Sequence, residues 1–238
     1  MTQIISTPRL AATLILLQDT SQGLQVMLVE RSDTASFAAG KFVFPGGVVD
    51  AGDSFLDNSG LVDGALRVAA IRETFEECRI LLADIHGQFP EPTADFSSIV
   101  KNSKLNLHTQ ELVPFAHWIT PPHLPKRFDT YFFIASAPVG QFPLADCKEV
   151  ISAIWSNPIS VVKQAESEEI NLMFATYMTL RWLTAYETVS EALVAARDRQ
   201  IVTVISESAD SAEGRVLKIP AAAGYGETEV LEKRFRRT

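Results

Sequence analysis

Apolar and polar positions near the start of the chain follow a strand-like pattern. Apolar, β-compatible residues fill positions 10–17 and 24–31, and the polar segment 18–23 separates them. A polar turn between two such runs is typical of a β-hairpin. We therefore predict two paired strands, and residues 41–49 are expected to continue the sheet up to a tight turn at the Pro-Gly-Gly of 45–47.

A stretch rich in aspartate and glycine, residues 50–64, comes next and is predicted to be a loop. Asp63 is expected to cap the N-terminus of a helix over 63–83, in which apolar residues recur at helical spacing. The helix therefore presents one apolar face to a core.

The rest of the chain gives weaker patterns. The elements predicted there are loop with some helix over 84–112, strands over 113–119 and 129–137, a helix starting at Asn157 and Pro158, one long or two short helices over 171–199, and a hairpin of 201–205 with 215–219. This mixture indicates a single α+β domain over 1–238, with a core over about 8–165 and a helical and hairpin extension over about 166–238.

Composition and charge narrow the class of protein. With 238 residues and 47% hydrophobic residues, the chain is expected to fold as one globular domain without a partner. Its net charge of −8 argues against general nucleic-acid binding. A local basic pair, Lys126 and Arg127, can still meet a small anion. Small phosphorylated ligands are thus the favoured partners.

The cysteines and the first apolar run bear on the compartment. Cys78 and Cys147 lie far apart with no CxxC pair, so neither a disulfide framework nor a zinc site is predicted. Residues 10–17 are far fewer than the ~20 apolar residues that a membrane-spanning helix needs, and no cleavage site follows them. We expect a cytoplasmic protein without a membrane partner.

One face of the predicted helix is acidic. Glu73, Glu76 and Glu77 share it, opposite the apolar residues. Like charges three and four residues apart destabilise a bare helix by a few tenths of a kcal/mol per pair. Such a face is either solvated or neutralised by a hard divalent cation bound through oxygen. Arg72, four residues before Glu76, can pair with a carboxylate and fix its orientation.

The glycine turn, acidic loop and acidic helix together resemble a Nudix box, whose pattern is G-x5-E-x7-R-E-U-x-E-E-x-G-U. Gly47 begins the pattern, Asp53 stands at the first acidic position, and the R-E and E-E pairs are Arg72-Glu73 and Glu76-Glu77. Thr74 replaces the aliphatic residue U, and an eleven-residue insertion separates Asp53 from Arg72.

The resemblance implies a fold and a cofactor. A Nudix domain is an α/β/α sandwich around a mixed sheet. By resemblance Glu73, Glu76 and Glu77 are the metal-binding and catalytic carboxylates, they hold Mg²⁺ or Mn²⁺, and Arg72 orients them. Arg79 stands where the box has a helix-ending glycine. Because arginine adopts the left-handed conformation less readily than glycine, we expect the helix to continue toward Ala83.

Segments around the box resemble coenzyme A diphosphatases, a Nudix subgroup. Arg31, Ser32, Gly40 and residues 44–47 match their upstream signature, while Val29 replaces a threonine and Ser36 an arginine. The segment HWITPPHLPKRFDTYFFIA resembles coenzyme A-directed Nudix proteins of the NUDT-nineteen type. The resemblance covers about residues 10–160.

This resemblance implies substrate contacts from the residues Arg31, Gly46, Gly47, Lys126 and Arg127. For the basic pair, an exposed loop without a ligand is an equally good interpretation. Glu149 is either an ordinary surface residue or a further carboxylate supplied from outside the box.

The implied reaction is metal-dependent cleavage of a nucleoside diphosphate linked to another moiety. Coenzyme A or acyl-CoA would give 3′,5′-ADP and (acyl-)phosphopantetheine. The alternatives are a nucleotide-sugar or dinucleotide pyrophosphatase, and a Nudix-fold binding protein with little or no turnover. Residues from about 160 onward either cover the pocket or build a homodimer interface, and the sequence does not decide between these roles.

Overall fold

A long apolar hairpin lies at the centre of the structure, a computed structural model that describes residues 6–35, 37–91 and 95–235. Strand β1 (Arg9–Thr20) pairs antiparallel with β2 (Gly23–Arg31), with Leu17 opposite Val26. The predicted hairpin is confirmed.

The described part of the chain contains further strands and six α-helices. In chain order they are β3 (Phe42–Val43), β4 (Gly46–Val48), α1 (Asp53–Leu56), α2 (Gly64–Cys78), β5 (Ala83–Asp84), α3 (Phe96–Asn102), β6 (Asn106–Leu107), β7 (Val113–Ile119), β8 (Phe128–Ser136), β9 (Val150–Ser156), α4 (Pro158–Glu166), α5 (Phe174–Leu183), α6 (Val189–Arg197), β10 (Thr203–Val204), β11 (Glu207–Ser211), β12 (Gly214–Lys218) and β13 (Glu229–Leu231). Within the described ranges, no helix is long and apolar enough to cross a membrane.

Eight strands form one mixed sheet in the order β10-β7-β8-β1-β2-β3, with β4 paired to β1 and β9 paired to β2. Strand β1 is parallel to β8, and β10 is parallel to β7. The predicted strands over 113–119 and 129–137 correspond to β7 and β8. Strand β9 was not predicted from the sequence, and it pairs antiparallel with β2.

Alternate residues of β1 face two different helical layers. Leu14 and Leu16 pack with α2 and α3, whereas Ile15 and Leu17 pack with α4, α5 and α6. This alternation follows from the two-residue period of a strand that is buried on both faces. The predicted α/β/α sandwich is confirmed, and residues 174–197 build its second helical layer.

The predicted hairpin of 201–205 with 215–219 is wrong. Residues Thr203–Val204 instead join the edge of the main sheet beside β7, and β12 pairs with β11 and β13 in a separate three-stranded sheet. A tight turn before Gly214, whose φ is +121°, lets β12 fold back onto its neighbour in sequence. The region 171–199 forms two helices, because Thr188 and Glu191 make a capping box that starts α6.

The 50–64 segment also differs from the predicted loop, because it contains the short helix α1. The Asp53 carboxylate accepts a hydrogen bond from the Asp50 N–H at 2.8 Å, and this bond closes the turn that begins α1. At the end of the segment, Asp63 occupies the N-cap position of α2 but does not cap it. Its carboxylate pairs with Arg67 at 2.7 Å instead.

Helix α2 ends at Cys78, so the predicted continuation toward Ala83 is wrong. Arg79 adopts the left-handed conformation at φ +60°, and its N–H bonds to the Phe75 carbonyl. Side-chain contacts offset the backbone cost, since the guanidinium pairs with Glu91 at 2.9 Å and lies 5.7 Å from the Phe89 ring centre. The end of the helix is therefore set without a glycine.

Exchanging Arg79 for glycine or for alanine separates these two contributions. Both variants lose the Glu91 and Phe89 contacts, but only Arg79→Gly relaxes the left-handed backbone. We expect Arg79→Gly to be more stable than Arg79→Ala by about 1 kcal/mol. Urea unfolding measures this difference, and equal stability of the two variants would contradict a strained helix end.

Candidate active site

The guanidinium of Arg72 is the centre of the site, and all five of its N–H groups are engaged. Nε and Nη2 donate to the two carboxylate oxygens of Asp53 at 2.9 and 3.1 Å, and Nη2 also donates to the Val48 carbonyl at 2.8 Å. Nη1 donates to Glu73 at 2.8 Å and to Glu76 at 3.0 Å. One side chain thus ties together β4, α1 and two carboxylates of α2.

Both members of the Arg72–Asp53 pair are buried, with 7% and 1% of their surfaces exposed. Burial opposes the positive charge of Arg72, but the hydrogen bond to Asp53 and the surrounding carboxylates outweigh it and raise the arginine pKa above its ordinary value. Asp53 is thus the fixed counter-ion of Arg72. A carboxylate that is shorter than the glutamate of the Nudix pattern suffices because α1 brings it close.

Glu73 lies directly over Gly47. A β-carbon at position 47 would overlap the Glu73 carboxylate, so any other residue there would push this carboxylate away from its present position. Burial raises the pKa of Glu73 to about 7, against the opposing effect of Arg72. Next to it, Thr74 fills its buried position by donating its hydroxyl to the Ala70 carbonyl at 2.7 Å.

Glu77 is the most deeply buried carboxylate of the helix, with 5% of its side chain exposed. The Gly46 N–H donates to Oε2 at 3.1 Å, and Arg31 donates to Oε1 at 3.2 Å. Burial raises the pKa of Glu77 to about 8 and the charge of Glu73 adds to the rise, whereas the Gly46 N–H and Arg31 oppose it. Arg31, Gly46 and Glu77 are thus brought together.

Glu76 is the open member of the set, with 41% of its side chain exposed. Burial of the remainder raises its pKa. The acidic helix side is therefore not a solvated face, because Glu73 and Glu77 are covered by the glycine turn and by Arg31. In the described ranges, no three His, Cys, Asp or Glu side chains already converge as metal ligands.

The residues present nevertheless fit a hard divalent cation. Glu73 and Glu77 offer only oxygen donors, and their burial and mutual repulsion make their charged forms costly in the absence of a neutralising cation. A divalent cation would neutralise this charge.

Glu149 reaches the cluster from the segment between β8 and β9. Its carboxylate lies 3.5 Å from Arg31, and its negative charge contributes to the raised pKa values of Glu73 and Glu77. The Asp146 carboxylate accepts the N–H groups of residues 148–150, which fixes this turn. Asp146 is not among the residues predicted from the sequence, although an aspartate two residues before such a turn is a usable signal.

The basic pair before β8 divides into two roles. The Arg127 guanidinium donates to the carbonyls of Thr120 and Ser6 at 3.0 and 2.7 Å, so it holds backbone segments together. Lys126 is exposed on the same loop. The ring centres of Phe37 and Phe128 lie 4.9 Å apart, so Phe37, in the loop after Arg31, packs against the start of β8. Ser36 lies outside the described residues.

Comparison with known proteins identifies the family. The NUDIX domain family matches residues 7–175, so the chain belongs to that family and the resemblance found in the sequence is confirmed. A crystal structure of a NUDIX hydrolase from Alicyclobacillus acidocaldarius is 26% identical, with a TM-score of 0.70, and the match covers 79% of this chain and 96% of that one.

Two relatives with known names add detail. The Caenorhabditis elegans protein provisionally named nudix hydrolase 7 is 31% identical over 68% of this chain and 56% of its own length. The acyl-coenzyme A diphosphatase NUDT19 of Homo sapiens is 25% identical over 72% of this chain and 63% of its own length. The chain thus spans less than two thirds of the length of these relatives.

Replacing Asp53 by asparagine tests the central pair. The change leaves the buried Arg72 charge without its bidentate partner, and we expect the free energy of unfolding to fall by about 3 kcal/mol. Chemical denaturation in EDTA measures this effect. Asp50→Asn is the matched control, because Asp50 is exposed and lies 3.9 Å from Arg72. Equal losses in both variants would contradict the role of Asp53.

Proposed function

We propose that this chain is a metal-dependent Nudix pyrophosphohydrolase whose substrate is coenzyme A or an acyl-CoA. The observation that carries the proposal is the carboxylate cluster of Glu73, Glu76 and Glu77, ordered by Arg72 and facing the Gly46–Gly47 turn and Arg31. Membership of the NUDIX family supports the reaction class, and the similarity to the acyl-coenzyme A diphosphatase supports the substrate.

In this proposal Glu73, Glu76 and Glu77 hold Mg²⁺ or Mn²⁺, and Arg72 keeps two of these carboxylates in place. A divalent cation lowers the pKa of water and neutralises charge on the diphosphate.

The remaining chemistry belongs to the chain itself. Water attacks one phosphorus of the diphosphate while the bond to the bridging oxygen breaks, and that oxygen leaves with its electron pair on the second phosphate. A carboxylate of the cluster takes the proton from the water. Glu149, which pairs with Arg31 beside Glu77, would serve as an additional carboxylate. The products are 3′,5′-ADP and (acyl-)phosphopantetheine.

Substrate contacts follow from the same geometry. Arg31 and the backbone of Gly46 and Gly47 lie beside the cluster, where they would meet the diphosphate. Lys126 would meet the 3′-phosphate of the nucleotide, while Arg127 holds the loop that presents Lys126.

Replacing Glu77 by glutamine tests the reaction. Wild type and Glu77→Gln are incubated with coenzyme A, ADP-ribose, NADH and a dinucleoside polyphosphate, each with Mg²⁺ and with Mn²⁺, and products are identified by mass spectrometry. We expect 3′,5′-ADP from wild type and a loss of kcat of about 100-fold in Glu77→Gln. Glu213→Gln, in the exposed turn before β12, is the control and keeps wild-type activity.

Other outcomes separate the alternatives. Cleavage of another substrate in preference to coenzyme A would make the protein a nucleotide-sugar or dinucleotide pyrophosphatase. No cleavage by a folded wild-type protein with either metal would favour a Nudix-fold binding protein. Full activity of Glu77→Gln would overturn the role given to the cluster.

Replacing Lys126 by alanine tests recognition of the 3′-phosphate. The ratio of kcat/KM for coenzyme A to that for dephospho-coenzyme A should fall about tenfold, because one charge-assisted hydrogen bond to the phosphate is lost. Lys101→Ala, in α3, is the control and keeps the ratio. An unchanged ratio in Lys126→Ala would exclude this contact.

A further inference from the structure

The segment 137–149 between β8 and β9, the strap, is hydrogen-bonded to the C-terminal end of α2. The N–H groups of Leu144 and Asp146 donate to the carbonyls of Cys78 and Glu77 at 3.0 and 3.2 Å. Gln141 exchanges two hydrogen bonds with the backbone of Leu81, at 2.8 and 2.9 Å. These bonds satisfy carbonyls that the end of a helix leaves unpaired, and they fix the path of the strap.

The path of the strap leads toward the site. Its first residue, Ala137, bonds to Leu17 at the far end of β1, and its last residues reach Arg31 through Glu149. The chain therefore runs from the hairpin end of the sheet down the end of α2 to the carboxylate cluster. Leu144 lies two residues from Asp146, whose N–H donates to the backbone carbonyl of Glu77.

Three apolar side chains on the strap point into solvent although the backbone beside them is fixed. Val139 is fully exposed, and Phe142 and Leu144 are 84% and 62% exposed. Exposed apolar residues are ordinary when scattered singly, but these three follow one another along a hydrogen-bonded segment that leads to Glu77.

We propose that the strap is the binding surface for the apolar arm of the substrate, the acyl chain joined to phosphopantetheine. This inference rests on the proposed function, since the diphosphate must sit at the carboxylate cluster for the arm to reach the strap. Val139 and Asp146 are seven positions apart, a span of at most about 25 Å, which is of the length of an extended acyl-phosphopantetheine arm. The covalent link to the diphosphate selects this occupant.

Charge divides the two halves of the substrate in the same way. Lys126 precedes β8 at the opposite end of that strand from Ala137, which follows its last residue, Ser136. Between Val139 and Leu144 the strap carries no charged residue. Lys126 would therefore contact the charged nucleotide half of the substrate, and Phe142 and Leu144 would contact the acyl half.

Binding without turnover tests the proposal. Isothermal titration calorimetry in EDTA compares octanoyl-CoA with coenzyme A for wild type and for the double variant Phe142→Ser/Leu144→Ser. Wild type should bind octanoyl-CoA about tenfold more tightly, equivalent to removing roughly two methylene groups from water. The ratio should fall below about twofold in the double variant. Val194→Ser, an exposed apolar residue of α6, is the control and keeps the wild-type ratio.

Equal wild-type affinities, or an unchanged ratio in the folded double variant, would overturn the proposal. A double variant that dissociates in size-exclusion chromatography and keeps the ratio would show instead that the strap contacts a second copy. Hydrolysis with Mg²⁺ is measured separately. The expected affinity ratios without hydrolysis would support acyl binding at the strap and contradict the proposed reaction. Hydrolysis with no preference for octanoyl-CoA would support the reaction and contradict acyl binding at the strap.

Discussion

The buried ion pair of Arg72 and Asp53 is the interaction on which the rest of the site depends. A guanidinium that is removed from water must keep all of its donors engaged, because an unpaired buried charge costs several kcal/mol. Arg72 meets this requirement by joining the end of β4, the short helix α1 and two carboxylates of its own helix. The charge that stabilises the fold is therefore also the charge that arranges the acidic cluster.

Close approach of backbone to carboxylate is the second constraint. Gly47 leaves room for Glu73, and the N–H of Gly46 donates to Glu77, so the glycine turn and α2 form one unit. Both carboxylates have raised pKa values, because the effect of burial on each pKa is larger than the opposing effect of the nearby arginine. In such a site the negative forms of these carboxylates are unfavourable, and a bound divalent cation would stabilise them.

Two loops bring further groups to this unit from distant parts of the sequence. Arg31 contacts Glu77, Glu149 and the carbonyl of Phe37, and so joins the end of β2 to the strap and to the following loop. The site thus lies where α2, the glycine turn and the ends of the strands meet. Helices α4, α5 and α6 pack on the other face of the sheet.

The sequence by itself determined the features that depend on local pattern. The first hairpin, β7, β8, the helix start at Asn157 and the Nudix box all follow from periodicity, capping residues or fixed spacing over short distances. The α/β/α sandwich followed from the resemblance that the box carries. The strands and helix ends depend on neighbours within a few residues, and the box depends on the order and spacing of residues between Gly47 and Glu77.

Tertiary structure decided what distant contacts control. Arg79 ends α2 in a left-handed conformation because Glu91 and Phe89 hold its side chain, and no local propensity includes those partners. Thr203 joins the main sheet because β7 has a free edge there, whereas β12 pairs with its neighbour in sequence. Asp146 and Glu149 meet the box only because β8 and β9 bring the strap beside α2. Such contacts depend on the packed arrangement of the whole domain, which a linear pattern does not encode.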